Sequence, residues 1–138
     1  MDERLAERII EQAADALIYA DHAGIIRRWN RAASAVFGYA AEEALGKSLD
    51  LIVPSDLRAS HWRGFQAAME SGRMRLEGRP TLTRATHKSG RKLYVEMTFA
   101  LVLADGAEEP PLGAVAVARD ATERVMADKA ARQSTSSD

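Results

Sequence analysis

His61 is the residue of this chain best placed to do chemistry. It sits in Ser55-Asp56-Leu57-Arg58-Ala59-Ser60-His61-Trp62, where apolar residues recur at helical spacing. A helix from about Asp56 to Ser71 puts Leu57, His61, Gly64 or Phe65, and Ala68 or Met69 on one face, so the imidazole points inward. An inward neutral imidazole is either a metal ligand or a core residue hydrogen-bonded to its surroundings, and spacing alone does not choose between them. The other histidines lie in turns: His22 in Asp21-His22-Ala23-Gly24 and His87 beside Lys88-Ser89-Gly90. Such positions read as solvated loop residues. The chain has no cysteine, which excludes disulfides, a thiolate nucleophile, cysteine-bound zinc and a cysteinyl flavin adduct. Ser60 and His61 are helical neighbours pointing about 100° apart, and no third group completes a nucleophile, base and orienting acid. No catalytic residues are therefore expected, and the chain reads as a non-enzyme.

The elements that would position His61 can be read from periodicity. Leu5, Ile9, Ile10 and Ala13 stand at helical spacing among charged residues, which predicts an amphipathic helix over about residues 2–15 in need of a partner surface. Leu17-Ile18-Tyr19-Ala20 and Ile25-Ile26-Arg27-Arg28-Trp29 flank a polar turn and read as a hairpin. Asn30 can cap a helix from Arg31 to Phe37 that ends at Gly38, and Ala41 to Gly46 repeats the helix-then-glycine arrangement. Beyond the His61 helix, closed by Gly72, a strand lies within residues 75–87. A second runs from Lys92 to Leu103 with Leu93, Val95, Met97, Phe99, Leu101 and Leu103 on one face. That face meets the core or a ligand. Leu112 to Ala118 is apolar throughout, as a central strand buried on both sides would be. A helix with a weak apolar seam follows from Asp120 into a Ser-rich tail. Trp29 and Trp62 suit either a flat cofactor or the rim of a core, and Phe37 and Phe65 read as core.

Two strands, short helices, three strands and a helix at each end describe an α+β domain with a five-stranded antiparallel sheet and helices on one face. The expected divisions are a flanking helix over 1–15, the domain over 16–119, and a linker helix with tail over 120–138. With 138 residues the chain has one core. A net charge of −1 gives no basic excess for neutralising phosphates, so no nucleic-acid partner is expected. No apolar run approaches 18 residues and Asp2-Glu3-Arg4 is unlike a secretory leader, so no membrane span and a cytoplasmic location are expected.

Five segments, in this order, resemble the signatures of PAS sensory domains: Asp21 to Ala33, Phe37-Gly38-Tyr39, Glu42 to Lys47, Lys88 to Arg91, and Arg119-Asp120-Ala121-Thr122-Glu123. The resemblance covers about residues 12–124. It implies a signal-transduction module whose sheet and helices enclose a pocket, and whose flanking helices carry the signal to a second subunit or to an effector domain further along a longer protein. Around His61 the chain is most similar to the haem-binding PAS domains of bacterial oxygen-sensor kinases and phosphodiesterases. There a histidine seven residues after a proline binds haem iron, a spacing kept by Pro54 and His61. The similarity extends through Asp56-Leu57-Arg58, Gly72 and Arg75-Leu76-Glu77-Gly78.

The resemblance implies haem b as cofactor, His61 as the metal ligand, Arg75 on a propionate, Arg79 as a distal donor, and a pocket walled by Leu82, Met97, Phe99 and Val115. Two positions depart from the pattern. Arg79 stands where the phosphodiesterase type has an iron-binding Met, and Thr81 stands where the oxygen-contacting Arg is found. Met97 and Met74 are the sulfur donors that remain as candidates. Two function classes follow. One is a gas or redox sensor, with flavin or a small apolar acid as other ligands for the same pocket. The other is a filled-core interaction module, a homodimer joined through the Leu5, Ile9, Ile10 and Ala13 face.

Overall fold

A computed structural model describes residues 2–74, 78–106 and 108–136. Helix α1, Glu3–Gln12, starts at Asp2, whose carboxylate accepts from the Arg4 amide, and ends before the length that periodicity predicts. Strands β1, Ala16–Asp21, and β2, Ile26–Trp29, form the expected hairpin. Its turn is fixed by the Asp21 carboxylate, which accepts from the Ala23 and Ile25 amides and from Arg27. Burial disfavours that charge, but these bonds outweigh it and hold the Asp21 carboxyl below its ordinary value. Helix α2, Arg31–Phe37, runs from the Asn30 cap to Gly38 with φ 84°, as the sequence predicts.

A short helix, α3, Ala41–Ala44, and a 3-10 turn, Leu49–Leu51, lead to the His61 segment. That segment opens with a second 3-10 turn, Ser55–Leu57, and becomes helix α4 at Arg58–Ser71, so the α-helix starts two residues later than the periodicity indicates. Strands β3, Thr81–Thr86, β4, Lys92–Val102, and β5, Gly113–Asp120, complete the sheet, and helix α5, Thr122–Ser136, leaves it. The sheet order is β2-β1-β5-β4-β3, antiparallel throughout.

Register gives the sheet two unlike faces. Inward point Ile18 and Ala20 of β1, Ala114, Ala116 and Ala118 of β5, Leu93, Val95, Met97 and Phe99 of β4, and Thr83 and Ala85 of β3. At one end of this face Trp29, Ala33 and Phe37 pack on Leu93 and Val95 and close a solid core. Leu17, Tyr19, Val115, Val117, Thr98 and Ala100 lie on the opposite face and are half-buried. The expectation that β5 is buried on both sides is corrected here. It is central, but its outer side chains stay partly open; α5 meets that face at Tyr94 and Glu96, through Lys129 and Arg124.

Candidate functional site

Beyond the solid core, α4 stands off the sheet and leaves a cavity of about 620 Å³. Its floor is Ile18, Ala20, Ala114, Ala116, Met97 and Phe99, its roof is Leu57, His61, Gly64, Phe65 and Ala68, and Leu49, Ile52 and Val53 close one end. Small residues make the space, with three alanines on the floor and Gly64 in the roof. The apolar stripe predicted for this helix does face inward, and His61 is part of the roof.

The His61 ring lies between two aromatic rings, with centroids 4.7 Å from Trp62, edge-on, and 6.0 Å from Phe65, stacked. Its Nδ1 is buried and has no hydrogen-bond partner. Burial pushes the imidazole below its ordinary value, with the Asp50 charge partly opposing. Burial thus favours the neutral ring, the form in which an imidazole binds a metal, and leaves its Nδ1 without a hydrogen-bond partner among the described residues. Among the described residues no three His, Asp or Glu side chains cluster to hold a bare metal ion, so a metal at His61 must bring most of its own ligands.

Of the other expected site residues, Met97 and Phe99 line the cavity. Val115 lies along the floor, but register places it opposite Tyr19 and Ala100, so its side chain points to the outer face and only its backbone borders the space. Leu82 is half-exposed on the outer side of edge strand β3, across from Glu96, and does not reach the cavity. Arg79 is exposed and away from the lining. Arg75 lies outside the described residues. His87 bonds Ser89 at the β3–β4 turn and packs against Gly38, remote from the cavity. His22 sits in the β1–β2 turn.

Sequence reasoning missed Arg73. Gly72, with φ 68°, turns the chain at the end of α4, and Ser71, Arg73 and Met74 form the cavity rim. The Arg73 guanidinium has no ion-pair partner among the described residues, whereas Arg84, also at the rim, is paired with Asp56 at 2.5 Å. A glycine ending a cavity-facing helix, followed by arginine, was the available signal.

A protein-family model described as the PAS fold matches residues 4–121. Over 105 residues the chain is 30% identical to the oxygen sensor protein DosP of Escherichia coli strain K12, covering 76% of this chain and 13% of that protein. Over 99 residues it is 28% identical to an uncharacterized protein of Azorhizobium caulinodans, covering 71% and 14%. The chain therefore corresponds to a small part of either relative. Among solved structures, the PAS domain of a protein from Colwellia psychrerythraea superposes with a TM-score of 0.72 at 21% identity, covering 87% of this chain and 97% of that one. An RNA-binding light-oxygen-voltage receptor does so with a TM-score of 0.69, also at 21% identity, covering 96% and 37%. These two likenesses are of fold. Taken with the sheet order and the one-sided helices, the match over residues 4–121 means that the chain belongs to the PAS family.

Proposed function

We propose that this PAS domain is a haem-binding sensor of a diatomic gas or of redox state, with His61 as the iron ligand. The observation that carries this reading is the neutral, unpartnered imidazole in the roof of an apolar cavity. A volume of about 620 Å³ is within the ordinary range for small-molecule sites. Apolar walls offer water few partners, so they favour an apolar occupant. A single imidazole suits a metal whose other positions are filled by a macrocycle.

The residues present fit the group. His61 would hold the iron, the Arg73 guanidinium, which has no ion-pair partner among the described residues, suits a propionate, and Met97, Phe99 and the alanine floor would bound the opposite side. Haem would supply an open coordination position that takes a diatomic ligand or changes with oxidation state. The chain contributes binding, orientation and exclusion of water. The relative named an oxygen sensor supports the same reading.

The flanking helices are the proposed route out. Leu5 and Ile9 of α1 are 50% and 52% exposed, and the outer face of the sheet is apolar and partly open, so both suit a second copy of the chain. Small shifts of α4 against the sheet would change that pairing and be passed to an effector elsewhere in a longer protein, where any catalysis would reside. A second reading keeps the cavity without haem and fills it with an apolar carboxylic acid, favoured by the Arg73 guanidinium at the rim.

An absorption spectrum after reconstitution with haem, reduced and under carbon monoxide, tests the proposal. A sharp Soret band that is lost in His61→Ala is the expected result. No band, or one unchanged in the variant, overturns it.

A further inference from the structure

We propose that Trp62 is the positioning residue for His61, clamped for that role between the backbone of Gly24 and the carboxylate of Asp50. This rests on the reading of His61 as the ligand-binding group of the cavity. The imidazole Nδ1 has no hydrogen-bond partner among the described residues, so the ring takes its direction from the helix and rings around it. Helix α4 buries Phe65, Ala68 and Met69, all C-terminal to His61. Arg58 Nε donates to the Val53 carbonyl at 3.1 Å, and the other polar contacts that hold the N-terminal turns, which carry the histidine, meet at one residue.

That residue is Asp50. The Trp62 indole Nε1 donates to Asp50 Oδ1 at 2.8 Å. One turn earlier, Arg58 places Nε 3.8 Å from the same oxygen and donates to the Asp50 carbonyl at 3.2 Å. The opposite jaw is Gly24. A Cβ there would fall 2.3 Å from the Cη2 and Cζ3 atoms of Trp62, so the indole rests on bare backbone. The two jaws are parts of one body. Leu49 N–H donates to the Gly24 carbonyl at 3.0 Å, Ile25 and Ser48 form a β-bridge, and Ser48 Oγ accepts from the Asp50 amide. The indole edge then meets the His61 ring at 4.7 Å, and Phe65 limits the ring on its other side.

The geometry therefore transmits the position of a rigid seat, built from the β1–β2 turn and the 3-10 turn at residues 49–51, to an imidazole that has no anchor itself. Groups that orient a metal ligand from behind typically change affinity by about 10–100-fold when removed. Asp50 is such a group at one remove, with Trp62 as the contact.

The chain has two tryptophans, and Trp29 donates to Ser34 Oγ and the Tyr39 carbonyl inside the core. Its indole N–H signal in a nitrogen–proton correlation spectrum is thus an internal control for folding. Asp50→Ala should shift the Trp62 indole signal and the His61 Cε1–H signal, leave Trp29 in place, and weaken haem binding about tenfold or more. Asp50→Asn keeps an acceptor oxygen and should restore the Trp62 signal and haem binding. Trp62→Phe should weaken binding like Asp50→Ala. Haem affinity within about twofold of wild type in Asp50→Ala overturns the proposal, as does equal loss in Asp50→Asn. A wild-type chain that takes up no haem refutes the haem reading instead, and the clamp is then judged in the ligand-free protein. A His61 Cε1–H signal that moves no further in Asp50→Ala than in Asp50→Asn, which also lacks the charge but keeps the acceptor, overturns it, and one that moves further supports it.

Discussion

Replacing Asn30 should cost more than replacing a helix cap ordinarily does. Asn30 is 1% exposed and uses both ends of its amide. Its Oδ1 accepts from Ala33 N–H, capping α2, and from Leu17 N–H of β1, each at 2.9 Å. Its Nδ2 donates to the carbonyls of Ile10 in α1 and Asp15, at 2.8 and 3.0 Å. Asn30→Ala loses the cap, worth about 1 kcal/mol, and orphans a strand amide and two carbonyls, at about 1–3 kcal/mol for a fully buried group and less for these part-buried ones. A loss of about 3 kcal/mol is expected, lowering the urea midpoint at unchanged slope and Tm by roughly 10 °C. Asn30→Asp keeps the accepted bonds but turns a carboxylate toward two carbonyl oxygens, so at neutral pH it should be at least as damaging. The introduced acid has a raised pKa in the folded state, so its deficit against wild type should shrink as pH falls and the protonated group donates again. Hydrogen exchange should show α1 amides opening in both variants. A loss under about 1 kcal/mol for Asn30→Ala would refute the reasoning, because one cap alone accounts for that.

Burial holds the His61 pKa below 6.5, so the unfolded chain binds this proton more readily than the folded one. The neutral ring's contribution to stability is complete above about pH 6.5 and is lost as pH falls toward the folded value, so the ligand-free wild type should lose more stability between pH 7 and 5 than His61→Gln. Equal slopes in denaturant titrations would contradict this. Gly24 and Gly46 both have positive φ, 80° and 84°, but a Cβ at Gly46 meets nothing within 4 Å. Gly46→Ala should therefore cost only the left-handed strain of about 1–2 kcal/mol, and Gly24→Ala clearly more, since it also unseats Trp62. Equal midpoints would show that the indole does not rest there. Arg73→Ala should weaken binding of haem but not of haem dimethyl ester, whose propionates carry no charge. Parallel losses for both would place the propionates elsewhere.

Most elements were legible where a strong period met a clear stop. The strict alternation of β4 fixed its inner face, and Asn30 with Gly38 fixed both ends of α2. The misplaced wall residues fail for a different reason. Thr81 to Thr86 reads Thr-Leu-Thr-Arg-Ala-Thr, in which neither parity is plainly apolar, and pairing with β4 turns Thr83 and Ala85 inward and Leu82 out. In Leu112 to Ala118 every residue is apolar or small, so sequence cannot show that the valines point out and the alanines in. Arg73 reaches the site through a chain reversal at Gly72, which no period encodes. The cavity itself was equally hidden, because it comes from alanines on two strands that only register brings together.

That alanine floor separates what the domain recognises from what keeps it folded. One base change turns an alanine codon into a valine codon, and β-branched residues suit strands. Ala20, Ala114 and Ala116 can thus be enlarged singly, each step taking volume from the cavity while the ladder of β1, β5 and β4 stays paired. A lineage carrying this sheet can narrow its ligand range, exchange one ligand for another or fill the space altogether without passing through an unstable ancestor, and the reverse steps reopen it.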